Sequence, residues 1–330
     1  MMEKLAVIAL GGNALLRDSQ SGTIEEQEQN TFDTLENIIF LIEEGFNLVI
    51  THGNGPQVGN IVMRNDAGEQ LYGIPHMPLD ICVADSQGGI GYMIERMLLN
   101  VLKKHNINRN VLTLMTMVEV NPDDPAFSNP GKRIGKTFTE QEKETLQKDK
   151  GWTFKAETKS KGGYRRVVPS PAPRKIMNWE VIEKNARNGT IIIAVGGGGV
   201  PVYTDENGDI RASEAVIDKD LASAMLATQI KADRFYILTD VPFVYANYDT
   251  QEQKVLEFLN YSDTKKYLDE QAFGEGTMAP KIKAALQFIE SGGKMSIITE
   301  STKLADKSYG TKITMEYDDA DLHKYDFKKE

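Results

Sequence analysis

Short, continuous apolar runs recur along this chain of 330 residues and alternate with stretches whose apolar positions repeat every three to four residues. The runs lack the alternation of apolar and polar residues that is typical of a sheet with one solvent-exposed face. They therefore predict strands that are covered on both faces, as in a parallel sheet. The predicted strands are 5–10, 47–50, 111–117, 190–195, 235–239 and 295–299.

Helical periodicity fills the intervals between these runs. Between the first two runs, one face of a predicted amphipathic helix carries Leu35, Ile38, Ile39, Ile42 and Phe46. Residues 80–105, 218–230 and 278–290 predict further helices, although three glycines weaken the first, since each costs about 1 kcal/mol in a helix. Strands that alternate with helices predict a three-layer α/β/α sandwich with a mainly parallel, open sheet.

Residues 121–175 break this alternation, because they are rich in Pro, Gly, Lys and Asp and poor in apolar residues. A capping box at Thr139 and Glu142 predicts one short helix there. The proline-rich stretch 169–173 predicts an extended hinge. We interpret the chain as a single domain, 1–330, with a small inserted lobe at about 121–175. The alternative is a long surface excursion without function.

Composition and charge limit the partners and the cellular compartment that we expect for this protein. The formal net charge is −10, which argues against nucleic acid as a partner and means that an anionic substrate needs a local cluster of lysines. The single cysteine, Cys82, lies in an apolar stretch; we expect a buried residue in a reducing compartment rather than a nucleophile. The absence of a signal sequence and of an apolar run near 20 residues predicts a cytoplasmic protein without a membrane span.

Three glycine loops directly follow predicted strands: Gly11-Gly12-Asn13, Gly53-Asn54-Gly55 and the four glycines at 196–199. Such loops present bare backbone N–H groups at a sheet edge, where they can bind phosphate. The carboxyl ends of parallel strands meet at one edge, so the loops predict a single composite anion site. Each loop alone is equally compatible with a tight turn, although four successive glycines exceed what a turn needs.

Other familiar sites do not fit the sequence. A P-loop motif is missing, and the first glycine loop lacks the later glycine of a dinucleotide-binding fingerprint. His52 adjoins a glycine loop and could act as an acid or base, but its neighbours favour a structural role in the turn. We find no metal-ligand spacing and no nucleophile–histidine pair.

Lysines at two predicted helix starts can supply the positive charge. Lys219 lies between Asp218 and Asp220, where a carboxylate can orient it, although an aspartate there can also be a simple helix cap. Lys281 follows a glycine at another helix start, a position that the helix dipole disfavours for a cation unless an anion is bound. The alternative is that Lys281 is an ordinary solvent-exposed lysine in the first turn of a helix. Lys132, in the inserted segment, is unremarkable by itself.

Several motifs together resemble the carbamate kinases, within the amino acid kinase superfamily. They run in order from residue 5 to about 300: ALGGNA at 9–14, HGNGPQVG at 52–59, MPLD at 77–80, NP at 129–130, VPSP at 168–171, GGGGVP at 196–201, EAVIDKD at 214–220 and MAPKI at 278–282. Other kinases of the superfamily share the glycine loops but not the MPLD, VPSP and lobe signatures.

The resemblance implies a homodimer that reversibly transfers a phosphoryl group between ATP and carbamate with Mg²⁺, in the ATP-forming direction during arginine or agmatine fermentation. It implies that Lys219 and Lys281 neutralise the transferred phosphoryl, that Asp220 holds both lysines, and that Lys132 closes over the substrate. The residues implied to bind carbamate and the phosphoryl group are Gly11, Gly12, Asn13, Gly53, Asn54 and Gly55. Those implied near the nucleotide are Gly197, Gly198, Thr239, Asp240, Tyr245 and Met278.

Two departures from the family pattern fall in the inserted segment. The usual proline before Ile134-Gly135 is absent, and ETKSKGGYRR at 157–166 replaces the usual EDAGRGWR. The alternatives are another kinase of the superfamily acting on a small carboxylate, a nucleotide-sensing paralogue without activity, and, more distantly, a nicotinamide-binding oxidoreductase. A sensor should lack the phosphate-handling lysines, and both Lys219 and Lys281 are present.

Overall fold

The computed structural model of the chain describes residues 4–17, 20–157, 162–273 and 278–316. The strands are β1 (Leu5–Leu10), β2 (Asn47–His52), β3 (Val111–Thr113), β4 (Met117–Val120), β5 (Lys132–Phe138), β6 (Thr153–Ala156), β7 (Tyr164–Val168), β8 (Pro173–Ile176), β9 (Ile191–Ile193), β10 (Val200–Thr204), β11 (Ile210–Ala212), β12 (Arg234–Thr239), β13 (Val244–Ala246), β14 (Lys254–Leu256), β15 (Phe258–Asn260), β16 (Met295–Glu300) and β17 (Thr311–Thr314). The α-helices are α1 (Ile24–Glu36), α2 (Ile39–Glu43), α3 (Gly55–Tyr72), α4 (Leu79–Lys104), α5 (Glu140–Lys150), α6 (Trp179–Arg187), α7 (Lys219–Gln229), α8 (Tyr261–Asp269) and α9 (Met278–Glu290).

An eight-stranded sheet forms the centre of the fold, in the order β15-β17-β16-β12-β1-β2-β9-β3. The six strands from β16 to β3 are parallel, and β17 joins β16 antiparallel. Every residue of β1 is buried, as its unbroken apolar run predicts. The prediction of a mainly parallel sheet is confirmed.

Both faces of this sheet are covered, because successive side chains of a strand point to opposite faces. Val7 and Ala9 pack in a core with α6, α7 and α9. Ile8 and Leu10 pack in another with α1, α2 and α4. The fold is therefore the predicted three-layer α/β/α sandwich.

Two predicted elements are divided in the structure. The run 111–117 contributes β3 to the central sheet and β4 to a second sheet, ordered β11-β10-β4-β8, so its prediction as one strand is wrong. Between the two strands, Thr116 is fixed by a pair of hydrogen bonds to the Gln87 side chain. The helix predicted around Leu35 and Phe46 is also two helices, α1 and α2, interrupted at Asn37, whose amide donates to the carbonyl of Asp33.

A separate antiparallel sheet, β5-β7-β6, forms with α5 within residues 132–157 and 162–168. We call this the β5–β7 unit. The capping box predicted at Thr139 and Glu142 begins α5. The proline-rich stretch that follows runs into β8, which pairs with β4 of the second sheet. The unit packs on α3 through Ile134, which shares a core with Val58 and Val62.

The long α4 keeps its helical form in spite of its three glycines, as predicted. At Gly91 the Thr113 side chain of β3 packs against the helix so closely that a Cβ there would collide with it. None of the helices in the described ranges has both the length and the apolar character needed to cross a lipid bilayer.

Candidate active site

The carboxyl ends of β1 and β2, the start of α7 and the first turn of α9 surround a cavity of about 230 Å³. We call it the lysine cavity. Residues that the sequence singled out make up most of its lining: Gly12, Gly53, Asn54, Gly55, Lys132, Gly197, Lys219, Asp220 and Lys281. The structure thus brings all three glycine loops and all three candidate lysines to one place, as expected for the carboxyl edge of a parallel sheet.

Asp220 lies between two lysines in the wall of this cavity. Its Oδ1 is 2.5 Å from Lys219 Nζ, and its Oδ2 is 2.9 Å from Lys281 Nζ. The carboxylate is almost fully buried. Burial disfavours its charged form, but the two ammonium groups outweigh burial and hold the pKa of Asp220 far below its usual range. Asp220 therefore stays ionised and fixes both lysines.

The two lysines respond differently to this shared partner. Burial lowers the pKa of Lys219 below its usual value, and the attraction of Asp220 only partly offsets it. Burial also disfavours the charge on Lys281, but Asp220, Asp218 and Asp240 together raise its pKa. The nearby carboxylates thus hold the charge of Lys281 more strongly than that of Lys219.

Asp218 contributes two contacts to the site, and the sequence indicated only one of them. One oxygen, Oδ1, accepts from the backbone N–H of Asp220 at 2.9 Å and so caps α7. The other, Oδ2, accepts from Lys132 Nζ at 2.8 Å. The Asp-Lys-Asp spacing indicated the cap, but the partner of the second oxygen lies 86 residues away in the chain.

The cavity carries a local positive charge despite the acidic chain. Lys132, Lys219 and Lys281 face Asp218 and Asp220, which leaves three positive against two negative charges. The side chains of Lys219 and Lys281 are only 13% and 14% exposed, so little water screens them. Such a site favours an anion with several oxygens.

The four glycines at 196–199 are required mainly by contacts within the protein. A Cβ at Gly196, Gly197 or Gly198 would lie closer than 3.0 Å to His52, Asn54 or Ile217, respectively. The last three of the four glycines have φ between +65° and +93°, which glycine adopts without strain. Gly197 lines the lysine cavity, so this loop both clears space and forms part of the wall.

His52 and Asn54 hold this wall in place. The His52 ring donates from Nδ1 to the Gly53 carbonyl at 2.9 Å, and burial lowers its pKa to about 4. The ring is therefore neutral at pH 7, consistent with the structural role favoured by the sequence. Asn54 donates to Ser86 Oγ at 2.8 Å, which anchors the second glycine loop on α4.

The remaining predicted residues lie outside the lining of the cavity. Gly11 is buried against the end of β12, beside Thr239, whose hydroxyl donates to Asp240 at 3.0 Å. Tyr245 lies on β13, 5.7 Å from the ring of Tyr248. The other three occupy these positions: Met278 begins α9, Gly198 packs on Ile217, and Asn13 has its backbone in the turn at 12–14 and its side chain outside the part described.

Cys82 is buried on α4, as predicted from its apolar surroundings. Burial raises the pKa of its thiol, which makes it a poor nucleophile at neutral pH. Over the ranges that the structure describes, no group of three or more His, Cys, Asp or Glu side chains is arranged to hold a metal ion.

The chain matches the amino acid kinase family over residues 4–300. It is 45% identical to the carbamate kinase of Pyrococcus horikoshii over 316 residues, which cover 95% of this chain and 100% of that protein. It is 40% identical to the carbamate kinase of Trichomonas vaginalis, with 89% of this chain and 93% of that protein covered. The solved structure of carbamate kinase from Giardia lamblia bound to AMP-PNP superimposes with a TM-score of 0.85 at 38% identity, covering 94% and 98% of the two chains.

Proposed function

The chain belongs to the carbamate kinases of the amino acid kinase family, and from that premise we propose that it transfers a phosphoryl group reversibly between ATP and carbamate. The observation that carries this proposal is the Asp220 carboxylate holding Lys219 and Lys281 together in a cavity edged by glycine loops. Phosphoryl transfer depends on positioning and on stabilising the equatorial oxygens.

In the proposed reaction a carbamate oxygen attacks the γ-phosphorus of ATP, and the bond from that phosphorus to the oxygen bridging to ADP breaks. Carbamate is already an anion, so the attack needs no general base. His52 is neutral and buried and does not line the lysine cavity, which agrees with a mechanism without a general base. The lysines would offset the charge on the transferring group.

The roles of the glycine loops follow from this reaction. We assign the carbamoyl and phosphoryl groups to the backbone of the first two loops: Gly11, Gly12, Asn13, Gly53, Asn54 and Gly55. Lys132 would cover them from the β5–β7 unit, within an inserted lobe at about 121–175 of a single domain. The nucleotide would lie toward Gly197, Gly198, Thr239, Asp240, Tyr245 and Met278, on the side of α9 and β12.

Mg²⁺ fits this site as an ion that arrives with the nucleotide. The two carboxylates that line the cavity, buried Asp220 and partly buried Asp218, already pair with lysines. Asp240 is exposed directly after β12, where its charge acts on Lys281 without forming a salt bridge among the described residues. Mg²⁺ commonly takes one or two carboxylates and several phosphate oxygens. When bound, it would neutralise charge on the phosphates.

We further propose that the protein is a cytoplasmic homodimer working in the ATP-forming direction, in arginine or agmatine fermentation. Support for the direction and the dimer comes from the resemblance to carbamate kinases. A single buried cysteine suits a reducing compartment.

The deciding experiment is ATP formation from ADP and carbamoyl phosphate, measured with and without Mg²⁺. We expect Mg²⁺-dependent ATP formation. In the reverse direction, carbamate should support ATP consumption, whereas glutamate, acetylglutamate and aspartate should not. A folded protein that is inactive with carbamoyl phosphate, or that prefers one of those carboxylates, would overturn the proposal.

A further inference from the structure

The β5–β7 unit contacts helix α3 at a point where both elements have a glycine. Gly59 is buried on α3, and Gly135 lies on β5. A Cβ at Gly59 would lie well inside 3.0 Å of the Cα and N atoms of Gly135 and 3.3 Å from the carbonyl carbon of Ile134. Two backbones therefore meet directly at this point, with no side chain between them.

The two glycines are needed for different reasons. At position 59 the obstacle is backbone, which cannot rotate away as a side chain can. At position 135 a Cβ would lie an acceptable 3.4 Å from the Cα of Gly59, but φ is +70°. The pairing of β5 with β7 shifts register between Ile134 and Thr137, directly around this glycine. Such a bulge bends the strand at the point of contact.

This contact joins two elements, α3 and β5, that each contribute a residue to the lining of the lysine cavity. Helix α3 begins at Gly55, in the second glycine loop, and Gly59 is one turn further along. Strand β5 begins at Lys132, three residues before Gly135, and Lys132 Nζ reaches Asp218 at 2.8 Å. The separation of α3 and β5 therefore sets how far the backbone that carries Lys132 lies from the second glycine loop.

We propose that the Gly59–Gly135 contact is a positioning contact, which sets how far Lys132 stands over the lysine cavity. This inference rests on the proposed function, because it treats Lys132 as a group that acts on the substrate. A second attachment supports the same placement. Lys150, at the end of α5, lies 3.1 Å from Glu69 and 3.4 Å from Asp66, both near the other end of α3.

The test compares two alanine substitutions on the same helix. Gly59→Ala must push β5 away from α3. Gly68→Ala is the matched control, because a Cβ there meets only the Ile74 side chain at 3.7 Å. A displacement of about 1 Å costs on the order of 100-fold in rate. We expect Gly59→Ala to lower kcat about 100-fold with the KM for ADP nearly unchanged, and Gly68→Ala to retain wild-type kcat.

A double-mutant cycle with Lys132→Ala separates positioning from general damage to the fold. If Gly59 acts through Lys132, the double variant should be no slower than Lys132→Ala alone, since coupled residues are not additive. Wild-type kcat in Gly59→Ala, or a further 100-fold loss in the double variant, would overturn the inference. Inactive wild-type and Gly68→Ala proteins would instead count against the proposed function.

Should Gly59→Ala fail to fold, Lys150→Met tests the same attachment without changing the backbone. Exposed Lys148, on the same helix, gives the matched control Lys148→Met. Partly exposed ion pairs contribute modestly, so we expect a two- to fivefold lower kcat for Lys150→Met, with no additional loss in a Lys132→Ala background. An unchanged kcat, or losses that add, would contradict the inference.

Discussion

The ammonium of Lys281 lies 2.9 Å from Asp220 Oδ2, although the two residues are 61 positions apart in the chain. Asp220 lies in the first turn of α7 and Lys281 in the first turn of α9, so the pair ties together two helices that pack on the same face of the sheet. Because Asp220 also holds Lys219, one carboxylate sets the spacing of two cations. This spacing is what a transferring phosphoryl group would encounter.

Lys281→Met should lower kcat on the order of 100- to 1,000-fold, the usual cost of removing one donor to a developing charge. The KM for ADP should change far less. Lys283→Met, at an exposed position on the same helix, is the control and should retain wild-type activity. Steady-state ATP formation from carbamoyl phosphate measures both constants. Near-normal turnover in Lys281→Met, or in the equivalent Lys219→Met, would rule out the proposed roles of these lysines.

Asp220→Asn should destabilise the protein by about 3–5 kcal/mol, because it leaves two buried ammonium groups without their carboxylate. Urea unfolding gives the change in the free energy of unfolding. Asp209→Asn offers a comparison, since Asp209 is 64% exposed and its ion pair with Arg211 should contribute at most about 1 kcal/mol. Equal stability of the two variants would mean that the Asp220 cluster does not hold α7 and α9 together.

Stability should fall as the pH is lowered from about 6.5 to about 4, because of His52. Its pKa is about 4 in the folded protein against 6.5 in an exposed histidine. Between these pH values His52 is protonated in the unfolded chain but not in the native state, so acidification favours unfolding. The loss should approach about 3 kcal/mol.

His52→Asn is the variant that isolates this effect, since the Asn amide can replace Nδ1 as donor to the Gly53 carbonyl. Its free energy of unfolding should depend less on pH between 6.5 and 4 than that of the wild type. Parallel curves for the two proteins would assign the acid sensitivity to other groups.

Gly197→Ala should cost about 3 kcal/mol or more, because it combines positive-φ strain of about 1–2 kcal/mol with a collision against Asn54. Gly208→Ala separates the two effects, since Gly208 has φ +83° but open space where a Cβ would lie. It should cost only the strain. Chemical unfolding of both variants checks the difference; equal costs would show that Asn54 yields easily and that the loop is not tightly fitted.

Much of the fold was predictable from the sequence, because a strand that is buried on both faces has an almost unbroken run of apolar residues. The runs at 5–10 and 295–299 contain apolar or small residues almost throughout, and each became a central strand of the sheet. The division of 111–117 was not predictable, since its apolar character continues across Thr116 while the hydrogen bonds that turn the chain come from Gln87 on another helix.

The sequence alone determined the sandwich, the edge of the sheet where the site lies, and two of its lysines, Lys219 and Lys281, with the glycine loops. These follow from periodicity and residue type, which are local properties. Tertiary structure decided which groups meet. The ion pairs are Lys132 with Asp218 and Lys281 with Asp220. The close packing contacts are Gly59 with Gly135, and the four glycines at 196–199 with His52 and Asn54. Such pairings depend on distances between segments remote in the chain, and those distances exist only once the helices have packed on the sheet.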